Sequence, residues 1–195
     1  MQEDPYQGDG LNLYIYCHNN PVIYYDPSGY ASKPDPNTYI DPSSLPGLSA
    51  GQKKTTPGIA TGPFTCSVPL EGSTIRSADG TRIAIPPEVA QQIVGKEYSS
   101  FEALREDIYS AINNSKYANE FNSSNQTLMG DGKAPFAPKS LQTGDANNQK
   151  KYNIHHTKPV EDGGDVYNLD NLSIVAPITH DEAHQEIDAM KSKKC

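Results

Sequence analysis

Apolar and polar positions alternate through residues 11–25 (LNLYIYCHNNPVIYY) on either side of a turn-prone His18-Asn19-Asn20-Pro21. A period of two predicts a hairpin of two short strands, and Asp26-Pro27-Ser28-Gly29 closes it with turn chemistry. Two isolated strands are marginal in water, so this piece reads as the end of a larger β structure. Residues 31–62 lose the alternation and turn to Pro, Ser, Thr and Gly, the composition of a linker with a domain boundary inside it. From residue 83 the period lengthens. Ile83-Ala84-Ile85 precedes Pro86-Pro87, after which Val89, Ile93 and Val94 recur at helical spacing. Ser99 or Ser100 can cap a second helix with Phe101, Leu104, Ile108 and Ile112 on one face. Both helices read as core without chemistry. Residues 121–150 return to Asn, Ser, Gly and Lys, a long irregular segment of the kind that is functional or packed on a scaffold. Residues 152–156 read as a short strand, and 166–175 as a second strand-like run broken by a polar Asn168-Leu169-Asp170-Asn171 turn. Thr179, with Glu182 three residues on, has the capping box of a last helix.

Composition narrows the partners. Lys and Arg number 16 against 24 Asp and Glu, a formal net charge of −8, which argues against general attraction to polyphosphate. Glu3, Asp4, Asp9, Asp26, Asp35 and Asp41 all precede residue 51, where Lys33 is the one base, so the C-terminal part is closer to neutral. Nucleic-acid binding there must be local. No apolar run approaches the roughly 20 residues of a membrane span, and residues 1–30 lack the basic start and apolar block of a signal peptide. Hydrophobic residues make up 35%, with 16 Pro and 15 Gly, so long connections are expected. Cys17, Cys66 and Cys195 are widely spaced and form no CxxC, which excludes a disulfide framework and a thiolate zinc site.

Four of the five histidines, His155, His156, His180 and His184, fall within 30 residues. On a strand the neighbours His155 and His156 point to opposite faces and can take different tasks. Pro159, Gly163 and Gly164 force a loop after them. His180 and His184 stand at i, i+4 on one helix face, where two imidazoles can share one metal ion. A third from the preceding strand would complete a three-ligand site with an open position, the arrangement of a catalytic metal. His18, alone, reads as an ordinary surface or core histidine.

Two stretches resemble known families. DPYQGDGLNLYIYCHNNPVIYYDPSGY, residues 4–30, is similar to the RHS-repeat-associated core terminus, which ends a β-shell and precedes a variable toxin. The resemblance implies that Asp4 and Asp26 match an acid pair of aspartyl autoproteolysis; the plainer reading is two turn-forming Asp-Pro steps. HHTKPVEDGGDVYNLDNLSIVAPITHDEAH resembles the HNH nucleases, in particular the DNase domains of colicins and S-type pyocins. The likeness extends upstream through residues 57–62, 85–106 and 121–142. It implies an α+β fold: a helical segment, a C-terminal ββα-metal (His-Me finger) motif and an N-terminal β-hairpin remnant of an RHS shell. The implied domains are 1–30 (RHS terminus), 31–53 (linker) and 54–195 (DNase toxin).

By the same resemblance His155, His180 and His184 bind one divalent metal ion, His156 is the general base and Asn171 holds it in position. Lys54, Lys150, Lys151 and Lys158 are the candidate phosphate contacts. Where the family has a Glu two residues before the His pair, salt-bridged to an Arg, this chain has Asn153 and Lys54, so no ion pair can form. The family's phosphate-facing Arg falls near Gln149-Lys150, where lysines offer point charges without an arginine's fork. The implied partners are DNA, a cognate immunity protein contacting Asn122, Asn125, Leu128, Met129 and Phe136, and the remainder of an RHS shell. The implied setting is an exported or delivered toxin acting in the target-cell cytoplasm. Three imidazoles plus water accept Zn, Ni, Mn or Mg. The other readings are an RNase and a non-enzymatic delivery remnant or binding protein with a structural metal site.

Overall fold

The computed structural model describes residues 24–25, 33–34, 41–62, 74–144 and 149–192, and the chain divides into two units between Asp41 and Pro42. In the first unit β1 (Tyr24–Tyr25) pairs antiparallel with β2 (Lys33–Pro34), Tyr24 opposite Pro34. The described partner of the second expected strand is therefore downstream, inside the stretch whose composition reads as linker. The first expected strand, Asp4, Asp26 and the three cysteines lie outside the described residues.

The second unit begins with a 3-10 turn, Pro42–Ser44, and helix α1, Ala50–Thr55. Ser49 caps α1: its hydroxyl accepts from the Gln52 amide, and the Gln52 side chain accepts from the Ser49 amide at 3.0 Å, a reciprocal capping box. The helix buries none of its residues, so it has no apolar stripe by which the sequence could announce it. It occupies the end of the segment read as linker. Strand β3 (Gly58–Ile59) follows, then β4 (Arg82–Ile83).

Helix α2, Pro87–Ile93, opens on a proline, whose missing N–H costs nothing at that position. It buries Val89, Ala90 and Ile93, whereas Val94 is past the helix end and 41% exposed. Strand β5 (Glu97–Tyr98) pairs antiparallel with β3. Helix α3, Phe101–Asn113, is capped by Ser100, which accepts from the Ala103 amide, and buries Phe101, Leu104, Ile108 and Ile112 as the spacing predicts. Each such side chain contributes on the order of 1.5–3 kcal/mol by leaving water.

Residues 121–142 depart from the irregular expectation. Ser123–Gly130 is a helix, α4, capped by Asn122. Only Met129 of its large apolar residues is buried, too little to give a periodic signal. Asn125 is also buried, donating from Nδ2 to the Phe136 carbonyl at 3.1 Å while its Oδ1 accepts from the Phe136 amide at 2.9 Å. Gln126 donates to the carbonyls of Ala118 and Phe121. Asn125 fixes the loop after α4 and Gln126 the turn before it, without a ladder of their own. Asn125 and Met129, expected as contact residues, are buried: the polar one holds Phe136 in place, and the apolar one lies in the core cluster. Asn122 and Phe136 are exposed and Leu128 half-buried.

The C-terminal part is a three-stranded antiparallel sheet in the order β4, β7, β6, with β6 Asn153–His156 and β7 Leu172–Val175. Helix α5, Pro177–Ser192, follows. It starts two residues before the expected Thr179 cap, because Pro177 supplies a preset first turn and the His180 amide already donates to the Ala176 carbonyl at 2.9 Å. Among the described residues no helix is long and apolar enough to cross a membrane.

Candidate active site

Strand period two sorts the sheet. Ile83, Ile174 and Ile154 lie in one row and Leu172 opposite His156 in another, all buried on the core face. Arg82, Val175 and Asn153 form a row on the other face, joined two residues on by His155 opposite Ser173. The histidine doublet is therefore split, His156 inward and His155 toward α5.

His155 meets His180 and His184 of α5, with ring centroids 5.3 and 5.1 Å away. One ligand atom from each of the three lies within 4.8 Å of the others. The Nε2 atoms of His180 and His184 stand 3.3 Å apart. Two ring lone pairs facing at that distance repel unless a proton or cation lies between them. Two nitrogens each about 2.0–2.1 Å from one tetrahedral ion would be separated by roughly 3.3–3.4 Å, so the residues fit a single ion. His180 Nδ1 is buried without a hydrogen-bond partner, with Asp181 Oδ1 at 3.8 Å. Burial pushes His155 down to about 4, helped by the charges of His180, His184, Lys54 and Arg82. His180 is lowered by burial and by His184. Both are held neutral, the form that ligates.

His156 is 5% exposed, and its ring lies 4.6 Å from that of Phe101. Its Nε2 is 3.2 Å from the Val166 carbonyl. A carbonyl only accepts, which assigns the proton to Nε2 and leaves the lone pair on Nδ1. Burial, then Lys54, pushes the ring down to about 4 against the pull of the Val166 carbonyl. The ring therefore stays neutral well below the pH of about 6 at which a free imidazole begins to charge.

Asn171 makes no hydrogen bond to His156. Its Oδ1 accepts from the Lys158 amide at 2.7 Å, and its Nδ2 donates to the carbonyls of Lys158 at 3.1 Å and Asp165 at 2.8 Å. It pins both ends of the 158–165 loop, next to the Val166 carbonyl that holds His156. Gly163 sits at φ +80°, and a Cβ on Gly164 would collide with the Lys158 carbonyl. The two glycines let the loop close to the distance at which Asn171 reaches across it.

Of the candidate cations, Lys54 comes to the site: its Nζ is 5.9 Å from the Phe101 ring, and its charge acts on His155, His156 and His180. Burial and the Arg105 charge hold Lys54 itself below the usual lysine value. Lys158 is exposed, its backbone in the Asn171 clamp. Lys151 lies 5.3 Å over the Phe136 ring, and the Lys150 carbonyl accepts from Ala137, so both belong to the Phe136 side. Asn153 donates to Gln149 Oε1 at 2.9 Å, an amide pair in place of an ion pair. Two residues near the histidines escaped the sequence reading. Phe101 carried only the signature of core, and Arg82 becomes visible only through its strand register.

A pH effect follows for the metal-free protein. His155 and His156 hold values of about 4 when folded against about 6.5 when unfolded. Between those values the unfolded chain binds protons that the folded chain refuses, so stability present above about pH 6.5 is lost progressively toward pH 4. The melting temperature in EDTA should fall across this window, and less steeply for His156→Gln. Equal slopes for the two would contradict the buried neutral imidazole.

Residues 66–186 match the family model for the colicin and pyocin-S2 DNase domain. Pyocin-S1 of Pseudomonas aeruginosa is 30% identical over 161 residues, 82% of this chain and 23% of that protein, so the chain spans about a quarter of that relative's length. The mutant nuclease domain of pyocin S8, solved with its cognate immunity protein, superposes with a TM-score of 0.55 at 34% identity, over 65% of this chain and 98% of that one. The pyocin AP41 DNase in its immunity complex gives 0.56 at 33% identity, over 70% and 98%. With a split histidine pair on a β-hairpin, two further histidines on the helix that follows and a family match over most of its length, the chain belongs to the colicin/pyocin DNase family of HNH-type endonucleases.

Proposed function

We propose that residues 54–195 are a metal-dependent, sequence-tolerant DNA endonuclease, the toxin tip of a bacteriocin-like protein. His155, His180 and His184 hold one divalent ion, which when bound supplies Lewis acidity to a phosphate oxygen and to the leaving 3′ oxygen. His156 takes the proton of the attacking water on Nδ1. The Val166 carbonyl orients that ring, and Asn171 holds the loop that carries it. The observation that carries this reading is the division of labour across one strand: three imidazoles gathered on one side, and one neutral, anchored imidazole on the other. A purely structural site is closed by four ligands; the histidine cluster offers three among the described residues. The test is incubation of the full chain with plasmid and total RNA side by side. Nicking of plasmid that needs added Mg, Mn, Ni or Zn and stops in EDTA is the expected result. Cleavage of RNA alone would make the enzyme an RNase, and cleavage of neither would favour a delivery remnant or binding protein.

The same reading makes residues 1–30 the end of an RHS shell and 31–53 its linker, supported by the 4–30 sequence. It makes the chain a delivered toxin acting in the target-cell cytoplasm. Its partner before delivery is a cognate immunity protein, as the pyocin S8 and AP41 complexes suggest by analogy. The contact surface centres on Phe136, 44% exposed on a backbone fixed by Asn125 and roofed by Lys151, and includes Asn122 and Leu128 of the neighbouring helix α4 and its cap. Phe136→Ala should weaken that complex by roughly 1–3 kcal/mol and leave cleavage intact, as calorimetry and plasmid assay together would read.

A further inference from the structure

The chain holds three arginines, Arg76, Arg82 and Arg105. Arg76 is committed to packing: it donates to the Glu120 carbonyl and the Tyr152 hydroxyl and lies 5.7 Å over the Phe121 ring. Arg105 pairs with Glu102 at 2.7 Å. Arg82 is exposed, and its guanidinium has no ion pair or hydrogen bond among the described residues. Strand register fixes its place. It lies opposite Val175, which lies opposite Asn153, so it shares the sheet face of His155 two strand spacings, about 10 Å, from β6. This face carries the ligand cluster, and a guanidinium is the group whose planar fork matches a phosphate bidentately. Lys54 and Lys158, the other candidate cations near the histidines, are point charges. In a chain of net charge −8, a polyanion needs such local cations to seat it.

We propose that Arg82 binds a phosphate of the DNA strand next to the one held at the three-histidine cluster. The proposal rests on the reading of this domain as a DNase. It extends the substrate track along the β4 edge of the sheet, away from Phe136 and Lys151.

The test is binding of the full chain to a labelled short duplex in EDTA, where no cleavage occurs, followed by fluorescence anisotropy over a range of salt concentrations. Arg82→Ala should weaken binding roughly tenfold, the scale of one charge-assisted contact. It should also make the log-affinity against log-salt slope shallower by about 0.9, one phosphate. Arg82→Lys should keep the slope while losing part of the affinity. Lys96→Ala, which removes an exposed partner of Asp107, should change neither. In the metal-loaded enzyme Arg82→Ala should raise KM with little change in kcat. If the parent binds and cuts DNA but Arg82→Ala matches its affinity and slope, the proposal fails and the DNase reading stands. Equal losses in the Ala and Lys variants with an unchanged slope would mark a structural role and also overturn it. A parent that neither binds nor cuts DNA overturns both.

Discussion

His156→Ala should lower plasmid cleavage by about 10²–10⁴-fold, the range of a positioned general base, while metal affinity stays within a few-fold of the parent. The expectation follows from geometry: His156 points to the core face, its Nε2 tied to the Val166 carbonyl, and it is outside the cluster of three ligand atoms. Its ring packs on Phe101, so the alanine variant leaves a cavity and loses stability; a thermal melt separates that loss from the catalytic one. His156→Gln keeps much of the volume without a base in the working range and should be as inactive as the alanine. Calorimetric titration with the metal decides the assignment: a loss of affinity equal to that of the ligand variants would place His156 among the ligands.

The complementary result is that His184→Ala should lose metal affinity by more than the roughly 10–100-fold that accompanies loss of a ligand's outer hydrogen-bond partner, and activity with it. His184 is exposed, so its removal should cost the metal-free fold little. The stabilisation that metal confers should fall in step, since an ion that binds only the folded state raises stability by RT ln(1 + [L]/Kd). The melting shift on adding metal should therefore be large for the parent, nearly as large for His156→Ala and small for His184→Ala. A shift of parental size in His184→Ala would remove this residue from the site.

Much of the site is written locally in the chain. The i, i+4 pair His180 and His184, the adjacent His155 and His156 on a strand, and the Gly163-Gly164 loop between β6 and β7 are short-range patterns, and strand and helix periods turn them directly into geometry. Phe101, Leu104, Ile108 and Ile112 gave α3 by the same logic. What was illegible depends on long-range pairing or on polar side chains bonding to backbone. Arg82 reaches the His155 face through a strand pairing with residues nearly a hundred positions away. Helix α4 is held by the Asn122 cap and the buried Asn125 and Met129, so its composition reads as loop. Asn171, expected to hold His156, grips the loop backbone with its amide, and the imidazole bonds to the Val166 carbonyl.

The order of synthesis adds a consequence. Elements made early have their partners at the other end of the domain. The Tyr167 hydroxyl donates to the Thr56 carbonyl at 2.6 Å, Thr61 bridges to Asn168, and β4 pairs with β7. On the ribosome, β4 pairs at first only with the segment around Arg76, β7 joins it once residue 175 has emerged, and the cluster has no third imidazole until His184 follows. Closing so long a loop is a late, entropically costly step. On the proposed function, a nascent chain is therefore without nuclease chemistry until His184 has been made. The proposed immunity protein would be needed only from the moment His184 emerges.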